Sequence, residues 1–188
     1  MPASTTVRTA DVAPQPWRNG GGVTRALLVR PRGDDWQVRV SVADVAANGP
    51  FSRFPGVQRW FAVLEGAGVV LTIGSEEHRL DVDGDALAFA GDVAVRCRLV
   101  DGPTRDLNLM LSRTPGSMRR VGRTVAWRPE ARECGLYATT AGQCDAHAPD
   151  EREPMPAHAL RWWPQAPESL AFDGQGWWIS AGAVAEPP

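Results

Sequence analysis

Trp60-Phe61-Ala62-Val63-Leu64-Glu65-Gly66-Ala67-Gly68-Val69-Val70-Leu71-Thr72-Ile73 decides the fold class of this chain. Two apolar runs, rich in valine, leucine and aromatic residues, are separated by a short segment carrying two glycines. Runs of this length bounded by glycine read as strands, and the segment Glu65-Gly66-Ala67-Gly68 between them reads as a hairpin. The same pattern continues outward. Strands are predicted over Arg25–Val29, Trp36–Ala43, Trp60–Leu64, Val69–Ile73, Glu77–Val82, Ala86–Phe89, Val93–Val100 and Leu107–Leu111, with turns at Asp83-Gly84-Asp85 and Gly91-Asp92. Met118–Ala126, Leu136–Thr140, His158–Trp162 and Trp177–Ala181 read as strands of a second, less regular half. The polar, proline-containing stretch Ala146–Pro156 reads as an exposed loop. No segment carries a useful helical period. Many short strands at regular spacing predict an all-β sandwich or barrel. The order of hairpins in the two halves is loosely similar, which either a degenerate duplication or convergent β patterning would produce.

The chain has 188 residues, enough for one large domain or two small, tightly joined ones, and 43% of them are hydrophobic. A net charge of −2 argues against a nucleic-acid footprint. All 20 basic residues are arginine. Without lysine there is no Schiff-base amine, pyridoxal phosphate anchor or P-loop lysine, the N-terminal amine excepted. Cys97, Cys134 and Cys144 form neither a C-x-x-C motif nor a zinc spacing, and read as reduced, buried thiols. No signal-peptide core and no apolar run of membrane-spanning length is present, so a cytoplasmic protein with no membrane partner is expected.

Trp17-Arg18-Asn19-Gly20-Gly21-Gly22-Val23-Thr24-Arg25 is the second informative stretch. Three consecutive glycines are costly to order, so such a loop needs positive φ or a close backbone approach. The flanking residues can stack on, hydrogen-bond to and charge-pair with a small planar anion. A plain glycine turn ahead of a strand is the competing reading.

Phe61 through Gly68, followed by Gly84-Asp85-Ala86-Leu87-Ala88-Phe89 and Gly91-Asp92, resembles a cupin β-barrel core. The histidine ligands of metal-binding cupins are missing: Ser52-Arg53-Phe54 stands where His-x-His would be, and Val93–Val100 holds no histidine. A tighter resemblance, to the HutD/Ves family, covers nearly the whole chain. It is carried by Pro16 to Arg25, Val40-Ser41-Val42-Ala43-Asp44-Val45, Gly49-Pro50-Phe51-Ser52-Arg53-Phe54-Pro55-Gly56, Leu64-Glu65-Gly66, Phe89-Ala90-Gly91-Asp92 and Asp101 to Met110. The resemblance implies a bicupin fold, two cupin barrels in one chain, with approximate halves 1–115 and 116–188. It also implies association with bacterial histidine utilisation or, in the Ves branch, with a stress response. Regulation through a histidine-pathway intermediate has been proposed for the family, for which no enzymatic reaction is firmly established.

His78, His147 and His158 lie on unrelated segments, so no metal and no cofactor is expected. There is no G-x-S-x-G elbow, and Ser41 and Ser52 have no histidine nearby in sequence. Strand alternation turns Cys97 away from its flanking arginines, so it reads as an inert thiol. Tyr137, the only tyrosine, has no evident acid–base partner. Alternation puts Arg39, Ser41 and Ala43 on one face, and Asp106 and Asn108 on one face. A barrel with Ser41 and Asn108 inward would have a polar lumen. The expected ligand-binding set is Trp17, Arg18, Asn19, Gly21, Gly22, Thr24, Arg25, Ser41, Asp44, Ser52, Phe54, Arg105, Asp106 and Asn108. Arg18, Arg25 or Arg105 would supply the charge, Asp44 and Asp106 would orient those arginines, and Phe51 and Phe54 would flank the mouth. Pairing of the same charges at the barrel rim is the structural alternative.

The expected function is non-catalytic binding of a small anionic metabolite such as formylglutamate or urocanate, modulating histidine utilisation. The alternatives are a metal-independent isomerase or hydrolase with Asp44 or Asp106 as general base, and a stress-associated interaction protein. Pairing of barrel edges into a homodimer is compatible with each of these readings.

Overall fold

The structure, a computed structural model, describes residues 4–122, 126–146 and 152–183. Its strands, in chain order, are β1 (Thr5–Arg8), β2 (Gln15–Pro16), β3 (Gly22–Arg30), β4 (Val38–Val45), β5 (Gly49–Pro50), β6 (Val57–Glu65), β7 (Val69–Ile73), β8 (Glu76–Leu80), β9 (Leu87–Ala90), β10 (Val95–Leu99), β11 (Thr104–Ser112), β12 (Gly116–Arg120), β13 (Glu133–Ala138), β14 (Gly142–Asp145), β15 (Arg152–Met155), β16 (Ala159–Trp163), β17 (Ala171–Phe172) and β18 (Gly176–Ala181). The only helical segment among the described residues is a 3-10 turn at Thr9–Asp11. Every strand pairing is antiparallel.

Two compact units form. In Ala13–Arg113 a six-stranded sheet, ordered β2-β3-β4-β11-β6-β9, accompanies a four-stranded sheet, β5-β10-β7-β8. Its interior is an apolar cluster including Ala43, Phe61, Val63, Val69, Leu71, Phe89, Val95 and Cys97. The other unit combines the described residues of 1–12 and 114–188. It has a five-stranded sheet, β1-β16-β13-β18-β12, and a three-stranded one, β15-β14-β17. Its core is aromatic, with Trp127 stacked on Trp178 at a ring separation of 4.9 Å, beside Trp163, Phe172 and Leu136.

Three sequence expectations are corrected. The division at residue 115 misplaces the N-terminus: β1 pairs with β16, and Thr6 Oγ1 accepts a hydrogen bond from Arg161 Nε at 3.0 Å. The segment Glu65–Gly68 is not a hairpin, because β6 pairs with β11 and β9 whereas β7 pairs with β10 and β8. The chain turns there from one sheet to the other. Gly66 and Gly68 hold φ of 98° and 100° against the backbone at Pro103 and Leu80, positions closed to a side chain. Finally, Arg152–Met155, read as loop, is an edge strand on β14, an edge being where a sheet tolerates Pro154. Residues 147–151 of that stretch, with His147, and residues 123–126 less Ala126 of the expected strand Met118–Ala126, lie outside the described residues.

Candidate functional site

Side-chain alternation on the six-stranded sheet builds the site in rows. Across β4, β11, β6 and β9, one row runs Arg39, Met110, Arg59, Phe89, and the next runs Ser41, Asn108, Phe61, Leu87. A third row is Thr24, Ala43, Asp106, Val63. The first two rows back a cavity of about 510 Å³. Trp17, Phe51, Phe54, Phe61 and Met110 form its apolar walls, and the exposed residues Gln15, Arg18, Asn19 and Ser52 form its rim.

Its buried polar groups are mostly donors. Ser41, Arg59 and Asn108 are each less than a tenth exposed. Arg59 donates from Nη2 to Asn108 Oδ1 at 3.1 Å and from Nη1 to the Ser52 carbonyl at 3.4 Å. Its guanidinium carbon lies 5.4, 5.7 and 5.1 Å from the ring centres of Phe51, Phe54 and Phe89. These contacts hold the fork in place. Among the described residues no carboxylate pairs with Arg59 or Arg39, and the buried Nε of each has no hydrogen-bond partner. Burial, and then the charge of Arg39, lower the Arg59 pKa to about 10, while burial lowers that of Arg39. Both remain cationic at neutral pH, which makes the enclosed field positive.

Of the expected ligand-binding residues, Trp17, Arg18, Asn19, Thr24, Ser41, Ser52, Phe54 and Asn108 line this cavity. Gly21, Gly22, Arg25, Asp44, Arg105 and Asp106 do not. The glycine loop is occupied with its own structure. Gly21 N–H donates to Asn19 Oδ1 at 3.0 Å, Gly20 N–H donates to the Trp17 carbonyl, and the Gly21 carbonyl accepts from Ala46 and Ala47. Gly22 seats the Trp17 ring, whose Nε1 donates to Thr24 Oγ1 at 2.7 Å. The loop therefore sets the Trp17 wall.

Asp44 alternates with Ala43, so it faces away from the lumen. It accepts from Arg25 Nη1 at 2.6 Å and Arg105 Nε at 2.7 Å, and Arg105 Nη1 reaches Glu65 at 3.1 Å. Burial alone would raise the Asp44 pKa, but hydrogen bonds from Arg105 and Arg25 outweigh it and hold it below the usual range. These charges therefore pair with one another on the outer face of the sheet. Asp44→Ala is therefore expected to cost about 1–2 kcal/mol and to leave cavity binding intact. The loss should shrink as pH falls through the lowered Asp44 pKa, where the carboxylate is protonated in the wild type too. Urea unfolding at two pH values checks it.

Asp106 is fully buried and does not line the cavity, so neither proposed general base reaches it. Arg39 and Arg59 were not among the expected binding residues. Parity with Ser41 and Phe61 was the available signal. Burial pushes the Cys97 and Cys144 thiols up to about 12 and raises Cys134 as well. His78 lies 3.7 Å from Glu76, and no group of three metal-ligating side chains occurs among the described residues. No helix among them is long and apolar enough to cross a membrane.

The sheet topology and inward cavity define a cupin-type β-barrel protein. The HutD family pattern matches residues 9–179, and the chain belongs to that family. The solved HutD of Pseudomonas fluorescens SBW25, described as a formate condition, superposes with a TM-score of 0.85 and 28% identity, covering 97% of this chain and 100% of that one. A mutant of Bacillus subtilis oxalate decarboxylase shares the fold at 8% identity and a TM-score of 0.64, covering 97% of this chain and 78% of that one. An uncharacterised 21.2 kDa protein of the hutC 3′ region of Pseudomonas putida is 39% identical over 107 residues, 55% of this chain and 56% of that protein. Protein Ves of Citrobacter koseri is 41% identical over 100 residues, 52% of each. The chain spans about half the length of these curated relatives.

Proposed function

We propose that this chain binds a small carboxylate in the cavity of residues 13–113 and so acts as a sensor in histidine utilisation, with formylglutamate or urocanate as ligand. The observation that carries the reading is Arg59, a buried guanidinium with a free Nε and no carboxylate partner among the described residues. A buried charge is normally paired, and an anion entering from outside would complete the pair. Arg59 and Arg39 would grip the carboxylate, Asn108 and Ser41 would add hydrogen bonds, and Trp17, Phe51 and Phe54 would cover the ligand body. The link to histidine metabolism is supported by the family and by the hutC neighbourhood in the name of the Pseudomonas putida relative.

Thermal unfolding with formylglutamate or urocanate tests this in the presence of chelator. Saturation at a hundred times Kd should add about 2.7 kcal/mol of stability. No shift with either compound, or one lost on chelation, overturns the metal-independent sensor.

A further inference from the structure

We infer that Asp106, a buried acid on the lumen face beside the cavity, couples anion binding to proton uptake, so that affinity falls as the solution becomes more alkaline. The inference rests on the carboxylate-binding reading of the cavity. Asp106 is fully buried, two residues along β11 from Asn108 and on the same face. Its Oδ2 accepts from Thr104 Oγ1 at 2.9 Å, and its Oδ1 has no partner. A carboxylate with one bond in an apolar enclosure is far more costly than the neutral acid.

Among the described residues, no cation on the surrounding elements offsets the Asp106 charge. From β4, Ala43 stands opposite and the Asp44 charge opposes ionisation; from β6, Val63 stands opposite. From β10 comes the Cys97 thiol, itself raised partly by Asp106, and from β7 the apolar Val69, Leu71 and Ile73 join the cluster. Arg105 beside it is engaged by Asp44 and Glu65. Arg39 and Arg59 stand two rows further along the sheet. Burial raises the Asp106 pKa to about 7, with the Thr104 hydrogen bond opposing and Asp44 adding to the rise.

Same-face neighbours on a strand are roughly 7 Å apart. A carboxylate held by Asn108 and Arg59 would therefore lie close to Asp106 within one low-dielectric lumen. Two negative charges there repel, so the bound anion favours protonated Asp106, and by linkage protonated Asp106 favours the anion. Between the free and bound pKa values of Asp106, binding draws up to one proton from solution onto its carboxylate.

The test is calorimetric titration of formylglutamate, whose carboxylates do not titrate in this range, from about pH 6 to about pH 8.5. Running it in buffers of different ionisation enthalpy counts the protons. Wild type should weaken on the order of tenfold across the window and take up protons at its alkaline end. Asp106→Asn should keep the acid-side affinity at every pH and take up none. An equal pH slope in both proteins, or no uptake by wild type, overturns the coupling alone. Failure of formylglutamate to bind at any pH overturns the coupling and its role as ligand together. Proton uptake is read on wild type, so the test does not depend on the variant folding.

Discussion

Arg59→Met is expected to weaken carboxylate binding by at least about 30-fold while leaving the ligand-free protein at least as stable as wild type. The two effects have one cause. Arg59 is less than a tenth exposed, has no acidic partner among the described residues and sits within the field of Arg39. The desolvation that depresses its pKa disfavours the charged form. Three phenylalanines around it would accept an apolar side chain of similar length, and replacing buried charge by packed hydrocarbon is often neutral or stabilising by roughly 1–4 kcal/mol. A desolvated arginine–carboxylate pair, in contrast, is worth about 2–5 kcal/mol on truncation, or about 30-fold to several thousand-fold in affinity. Thermal unfolding and titration calorimetry on the same preparation measure both. A variant that loses stability but still binds formylglutamate or urocanate would show Arg59 to be structural.

The second large effect is expected at Gly22. A methyl group there would collide with the Asp44 carbonyl oxygen and lie 3.2 Å from two carbons of the Trp17 ring. Backbone on one side and a hydrogen-bonded indole on the other leave little room to yield. Gly22→Ala should cost about 3 kcal/mol, at the upper end of ordinary overpacking, a large share of a typical stability. Its neighbours should be milder. Gly20 has φ of 70° but open space, so Gly20→Ala should cost about 1 kcal/mol. At Gly21 the nearest atom is the movable Asn19 side chain at 3.3 Å. Urea midpoints of the three variants should rank in that order, and equal losses would contradict the steric account. Gly22→Ala should also weaken the ligand, because it tilts the Trp17 wall.

How much of this was legible in the sequence depends on the range of each cause. Val69–Ile73 matches its predicted bounds, and alternation alone placed Arg39, Ser41 and Ala43 together. The same parity already set Asp44 opposite to Ala43 and would have put Arg59 with Phe61. The blocks that carry the family resemblance hold Arg18, Arg25 and Arg105 but not Arg39 or Arg59. Other features are set by partners distant in the chain. Strands of two residues such as Gln15–Pro16 and Gly49–Pro50 are too short to show a period. The turn at Gly66 and Gly68 resembles a hairpin locally, and the pairings of β6 and β7 decide otherwise. The assignment of β1 to the far unit rests on β16, more than 150 residues away in the Thr6–Arg161 bond.

The donor-lined interior would also work by refusal. Asn108 Oδ1 and the Ser52 carbonyl each already accept from the Arg59 guanidinium, whose charge repels a second cation. An incoming ammonium would meet two guanidinium charges and little to accept its protons. On the carboxylate-binding reading, zwitterionic amino acids would enter only with the amine held outward, whereas deaminated or N-acylated acids of the same size would escape that restriction. Discrimination of this kind depends on repulsion more than on shape, and it would let such a protein ignore a parent amino acid while responding to the acids made from it.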